Sequence, residues 1–275
     1  MKTPQTAPPE VRAAHEPAPG DTLPCGCTPR QPDAAPATTP VADAGIDVSR
    51  IRAITLDLDD TLWPIWPTIA RAEAVLQAWL GEHAPATAAL CADKAVLREV
   101  RLHMNTARPE LAHDMSALRR ESIRLVLQRA GDDPSLAEPA FEVFFAERQR
   151  VDLFADALPA LEFLSSRFPV VALSNGNADV HRVGLGAHFK ASVSARTFGV
   201  GKPHPRIFHA AAEAAGVDSA QVLHIGDDAH LDGVGALNAG MQLAWVNREG
   251  QAWAHAPLRP HTTVSDLLAL CRQLG

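Results

Sequence analysis

What the chain lacks narrows what it can be. No stretch approaches the roughly eighteen consecutive apolar residues of a membrane span, and the N-terminus has no apolar core of the kind a signal peptide carries. The expectation is a cytoplasmic protein with no membrane partner. Cysteine is scarce: Cys25, Cys27, Cys91 and Cys271 are too few and too scattered for a disulfide framework. No CxxC pair offers half of a zinc site, and Cys25-Gly26-Cys27 reads as two solvated thiols. Basic residues are short as well. The 25 Lys and Arg stand against 32 Asp and Glu, a formal charge of −7, and nucleic-acid backbones are held by clustered cations. A nucleic-acid partner is therefore not expected, and a small soluble one fits. Nothing fixes an oligomeric state; a monomer is compatible with the sequence.

Large apolar residues are nearly absent from residues 1–48, which hold ten of the 22 prolines. Such a segment cannot bury a core, so it is expected to be a disordered tail. The folded part should begin near Ser49. Ile51 to Leu56 reads as a buried strand. From about 67 to 156 the apolar residues recur at helical spacing, as in Ile69, Ala72, Val75, Leu76, Trp79 and Leu80. Helices are predicted near 67–82, 86–104, 112–130 and 136–149. Beyond that block strands and helices alternate: helix 157–166, strand Val170–Ser174, helix 178–186, strand Ala191–Val193 and helix 204–215. Strand Val222–Ile225, helix 230–239, strand Leu243–Val246 and a helix from Ser265 complete the pattern. Alternation of this kind implies an α/β fold with a doubly wound parallel sheet. The first strand belongs with the later ones, so 49–66 and 157–275 form the core and 67–156 is an inserted all-helical domain.

In such sheets ligands bind at the carboxyl ends of the strands. There the sequence places Asp57, Asp59 and Asp60 in "LDLDDTLW", Ser174, Asn175 and Gly176 in "ALSNGN", and Asp227 and Asp228 in "LHIGDD", with Lys202 in "VGKPHP" following the weak strand. Carboxylates crowded together raise one another's proton affinity, so a cation is expected among them. Hard divalent ions such as Mg²⁺ take carboxylate oxygens and substrate phosphate. The inventory suits phosphoryl transfer. Asp57 is the candidate nucleophile and Asp59 the acid and then base. Mg²⁺, Lys202, the Ser174 hydroxyl and turn amides would counter the phosphoryl charge.

Rival motifs fail. With Asp57 at position one of a calcium loop, the sixth residue is Leu62 and the twelfth Thr68, not Gly and Glu. Gly184-Leu185-Gly186 and Gly233-Val234-Gly235 lack the third glycine of a dinucleotide fingerprint, and Gly199 to Lys202 lacks P-loop spacing. His204, His209, His224 and His230 show no zinc-like spacing and read as surface or satisfied core residues; His204 lies close enough in sequence to line the site.

The DxDxT run Asp57 to Thr61, Ser174, Lys202 and Gly226-Asp227-Asp228, in this order, resemble the four motifs of the haloacid dehalogenase (HAD) superfamily. The resemblance implies a Rossmann-like core, Mg²⁺ dependence and an Asp57 nucleophile. It also implies metal ligation by Asp57, the Asp59 backbone carbonyl and Asp227, with Asp228 or Asp232 on a metal-bound water. Thr61, Ser174, Asn175 and Gly176 fall where the family holds the phosphate. The inserted helices resemble its helical-cap subclass, in which the cap selects the substrate. "SNGNADVHRVGLGAHF" and "GKPHPRIFHAAAEAAGV" are similar to bacterial phosphatases acting on flavin mononucleotide and on the phosphorylated ribitylaminouracil of riboflavin synthesis. His113, Asp114, Arg119 and Arg120 are cap candidates for substrate contact, against the alternative of a solvated face. Trp63 and Trp66 are expected to pack the hinge, with stacking on a substrate as the other role. A phosphomutase, a haloacid dehalogenase and a non-catalytic binding protein are the alternatives on this fold.

Overall fold

The computed structural model describes residues 43–275. Most of the expected tail, including Cys25 and Cys27, lies outside these residues. Residues 43–48 do not behave as tail: Ala44 and Gly45 donate backbone N–H to Pro260 and His261, both at 2.9 Å, and the Asp43 carboxylate accepts from the Thr263 amide and hydroxyl. The folded part thus takes in residues ahead of Ser49.

Six parallel strands form one sheet: β1 (Ala53–Leu56), β2 (Val170–Ser174), β3 (Ala191–Ser194), β4 (Val222–Gly226), β5 (Gln242–Val246) and β6 (Thr262–Val264), in the order β3-β2-β1-β4-β5-β6. The doubly wound sheet expected from the alternation is present. Its four central strands, β2, β1, β4 and β5, are buried on both faces, so neighbouring residues feed opposite cores. Ile54, Leu56, Val170, Ala172, Leu223 and Ile225 face one core, while Ala53, Val171, Leu173, Val222, Leu243 and Trp245 face the other. Strand β6 was not predicted; three residues carry too little pattern to register.

Between β1 and β2 run α1 (Ile65–His83), α2 (Pro85–Cys91), α3 (Lys94–Ala107), α4 (Met115–Ala130) and α5 (Ala137–Arg148). They bury a core of their own, in which Ile69, Leu76 and Leu80 meet Ile123, Leu127, Phe141 and Phe144. The helix expected over 86–104 is split at Ala92-Asp93, where the Asp93 carboxylate accepts from Ala95 N and caps α3. After the block come α6 (Ala157–Ser165), α7 (Ala195–Phe198), α8 (Pro205–Ala215), α9 (Gly235–Asn238) and α10 (Leu267–Leu274).

The helix expected over 178–186 does not form. Asp179 Oδ1 accepts from the amides of His181 and Arg182, and Gly184 takes a φ of +85°, so one turn closes and stops. Among the described residues no helix is long and apolar enough to cross a membrane.

Chain order reverses between β1 and β4, which places a crevice at their carboxyl ends. The helical block emerges from the same edge.

Candidate active site

The crevice opens into a cleft of about 1170 Å³, lined on the sheet side by Asp57, Asp59, Ser174, Gly176, Lys202 and Asp227, with Trp66 and His113 among the lining residues from the helical block. At its floor Lys202 Nζ lies 2.5 Å from Asp57 Oδ1 and 2.6 Å from Asp232 Oδ1. All three side chains are buried. Asp57 follows directly from β1, and Asp232 reaches in from a π-helical turn at Ala229–Val234. Gly226 permits this approach, since a Cβ there would fall 2.3 Å from Asp232 Cγ.

Asp232 is held from behind. His224 Nε2 meets its Oδ1 at 3.0 Å, and His224 Nδ1 meets Thr55 Oγ1 at 2.9 Å. Burial pushes His224 below its ordinary value despite Asp232, so the ring is neutral, its Nε2–H donates and its Nδ1 accepts. Burial alone would raise Asp232, but Lys202 and His224 hold it well below the usual carboxylate range. Lys202 is itself lifted above an ordinary lysine, because Asp232 and Asp57 outweigh the cost of burying its charge.

One lysine does not neutralise the cluster. Burial, with Asp232 nearby, pushes Asp57 up to about 8 even against Lys202. Asp227 is raised well above its usual range by burial and by Asp57 and Asp232. Asp57, Asp227 and Asp232 bring one carboxylate oxygen each within 4.8 Å of one another. An all-oxygen donor set with excess negative charge, two of its carboxylates buried and Asp227 half-buried, fits a hard divalent cation.

Asp228 is not in this trio. Its Oδ1 accepts from the amides of His230 and Leu231, capping the π-helical turn. Of the two acids that the resemblance left open, Asp232 is the one at the cluster. The Asp59 carboxylate also stands apart from it, taking Arg148 Nη2 at 2.6 and 2.7 Å and Trp63 Nε1 at 2.8 Å.

The expected phosphate residues divide. Ser174 Oγ accepts from Gly176 N at 2.9 Å and keeps its own hydrogen for a donor role in the cleft. Gly176 has no room for a side chain, since a Cβ would lie 2.4 Å from Asp59 Oδ2. Thr61 and Asn175 are occupied with the protein. Thr61 Oγ1 donates to Asp227 Oδ1 at 3.0 Å. Asn175 donates to Lys202 O and accepts from Lys202 N, at 2.9 and 2.7 Å. It positions the lysine, and it lines the cleft beside Ser174 and Gly176.

Of the four substrate candidates from the helical block, only His113 lines the cleft. Asp114 caps α4 through Ala117 N. Arg119 pairs with Glu73 and lies 4.1 Å over Phe144, and Arg120 pairs with Glu138 and lies 3.7 Å over Phe141. Trp63 is fully buried and bonded to Asp59, whereas Trp66 reaches the cleft. His204 is exposed and caps α8 through Arg206 N, outside the site. Sequence reasoning missed Arg148 outright, which sits 89 residues from Asp59 with no spacing signal to link them.

Comparison with known proteins points to one family. A model of the haloacid dehalogenase-like hydrolases matches residues 51–240. The 5-amino-6-(5-phospho-D-ribitylamino)uracil phosphatase YigB of Escherichia coli is 33% identical over 231 residues, 81% of this chain and 96% of its own. The N-acylneuraminate-9-phosphatase of Mus musculus is 26% identical over 81% of this chain and 93% of its own. A solved structure described as a 2-haloacid dehalogenase from Pseudomonas syringae superposes with a TM-score of 0.76 at 38% identity, covering 82% of this chain and 97% of that one. With its family model spanning β1 through the Asp227 turn, this chain belongs to the haloacid dehalogenase-like hydrolases.

Proposed function

We propose that the protein is a Mg²⁺-dependent phosphomonoesterase acting through an aspartyl-phosphate on Asp57. The observation that carries the reading is the pairing of two unlike carboxylate environments. Asp57 lies in a buried acid cluster around Lys202, and Asp59, two residues on, is held apart from it at the cleft.

An Asp57 oxygen attacks phosphorus while the bond to the ester oxygen breaks, and Asp59 gives that oxygen its proton. Asp59, now a carboxylate, takes a proton from the water that attacks the aspartyl-phosphate. Phosphate leaves and Asp57 is restored. Lys202 and the Ser174 hydroxyl offset charge on the phosphoryl oxygens. Asp57, Asp227 and Asp232 would hold the Mg²⁺, which supplies further charge neutralisation when bound.

The likeness to a 2-haloacid dehalogenase supports a second reading on the same nucleophile. It suits the site less well. A halide leaves without a proton, which gives Asp59 no task, and a neutral carbon centre does not call for a cation-binding acid cluster. For substrate, we favour a phosphorylated ribityl or flavin compound. The support is the likeness to the riboflavin-pathway phosphatase, the cleft of about 1170 Å³ and the Trp66 side chain in its wall.

The test is phosphate release from a panel including flavin mononucleotide, the ribitylaminouracil phosphate, sugar phosphates and phosphoglycolate, with and without Mg²⁺. Chloride release from 2-chloropropionate runs beside it. Mg²⁺-dependent phosphate release that disappears in Asp57→Asn supports the reading; chloride release without metal and no phosphate release overturns it.

A further inference from the structure

The helical block reaches the catalytic loop through Arg148, the last residue of α5. Its side chain is 1% exposed, and Nη2 alone makes both contacts to Asp59. Nε and Nη1 are buried without a hydrogen-bond partner. Among the described residues Asp59 is therefore the group to which this guanidinium is tied.

As a stabilising device the arrangement is poor. Each buried donor left unused keeps its full desolvation penalty, and exchanging a buried ion pair for apolar groups of similar volume is often neutral or favourable. What the arrangement does well is fix a carboxylate. Asp59 sits on the loop after β1 with its side chain 20% exposed, and among the described residues its carboxylate also accepts from Trp63 Nε1. Gly176 leaves the space: a Cβ there would lie 2.4 Å from Asp59 Oδ2 and 3.6 Å from Arg148 Nη2. The next residue, Gln149, docks the end of α5 on the same loop, accepting from Asp179 N at 2.8 Å.

We propose that Arg148 is a positioning residue for the acid–base step, aiming the Asp59 carboxylate at the ester oxygen. It does not itself line the cleft, and it acts through Asp59. The inserted helices then govern proton transfer as well as access. This rests on the phosphatase reading.

The test compares kcat/KM for an alkyl ester, glycerol phosphate, with that for p-nitrophenyl phosphate, whose nitrophenolate leaves without a proton. Arg148→Met should lose about tenfold to a hundredfold on the alkyl ester, the scale of a misplaced catalytic group, and far less on the nitrophenyl ester. In an Asp59→Asn background the same substitution should cost nothing more, and the urea midpoint should stay level or rise. Equal loss on both esters, or an undiminished loss in the Asp59→Asn background, overturns the proposal. Should the wild type release phosphate from neither ester, the phosphatase reading falls separately. A crystal structure of Arg148→Met then decides the positioning: a displaced Asp59 carboxylate supports it and an unmoved one overturns it.

Discussion

Lys202 Nζ sits between two carboxylates, 2.5 Å from Asp57 Oδ1 and 2.6 Å from Asp232 Oδ1, with all three side chains buried. The lysine is thus both a structural counter-ion and a candidate phosphoryl partner. Lys202→Met should abolish turnover and also destabilise the fold, because removing one partner from a buried ionic cluster costs on the order of 3–5 kcal/mol. Urea unfolding of the metal-free protein checks this, and an unchanged midpoint would contradict the counter-ion role.

Asp57→Asn should behave in the opposite way. A carboxyl whose folded value is raised, here from 3.8 to about 8, costs stability increasingly as pH rises past its ordinary value. Asparagine removes that cost and leaves the Lys202–Asp232 pair intact. Turnover should fall by at least about a thousandfold, as expected for loss of a nucleophile, while the metal-free melting temperature holds or rises. Parallel assays and melts at neutral pH decide it.

Mg²⁺ should stabilise the protein, since the acid cluster exists only in the folded chain. A ligand at a hundredfold excess over its dissociation constant adds about 2.7 kcal/mol. Thermal melts with Mg²⁺ and with EDTA should differ accordingly. Asp227→Asn should shrink that difference, whereas Asp228→Asn, which alters a capping residue outside the trio, should leave most of it.

Gly176→Ala tests the geometry around Asp59. The added methyl would stand 2.4 Å from Asp59 Oδ2, so the carboxylate or the loop must shift. The expected result is a folded protein with kcat reduced about tenfold to a hundredfold, the scale of a small misplacement of a catalytic group. Steady-state kinetics beside circular dichroism separate this from unfolding.

Acid should weaken the fold partly through His261. Burial first, then Arg50, lowers it from its ordinary 6.5, and its Nδ1 accepts from Leu243 N at 3.1 Å. The unfolded chain binds that proton more tightly, so the stability from neutral His261 is complete above 6.5 and is lost as pH falls through the folded value. His261→Gln should flatten the decline in urea midpoint over that window. An unaltered pH profile would assign the sensitivity elsewhere.

The parallel sheet and the placement of Asp57, Asp59, Ser174 and Asp227 at the cleft were legible because each lies at or just after a strand whose apolar pattern is local, while Lys202 follows α7 and was legible only from its place in "VGKPHP". The missing 178–186 helix shows the limit of such patterns. Apolar spacing there competes with an Asp179 turn and a left-handed Gly184, and the backbone hydrogen bonds go to the turn.

By itself, then, the sequence determined which residues end the strands and the kind of chemistry those residues can do, since strand periodicity and carboxylate reactivity are properties of short segments. Only the tertiary structure decided which charges meet. It turned Asp228 into a cap and brought Asp232 to Lys202, spent Thr61 and Asn175 on the protein's own groups, and carried Arg148 across 89 residues to Asp59. Pairings of that kind depend on how the helices pack against the sheet, and no local pattern encodes the distance between two side chains that approach only when both cores are buried.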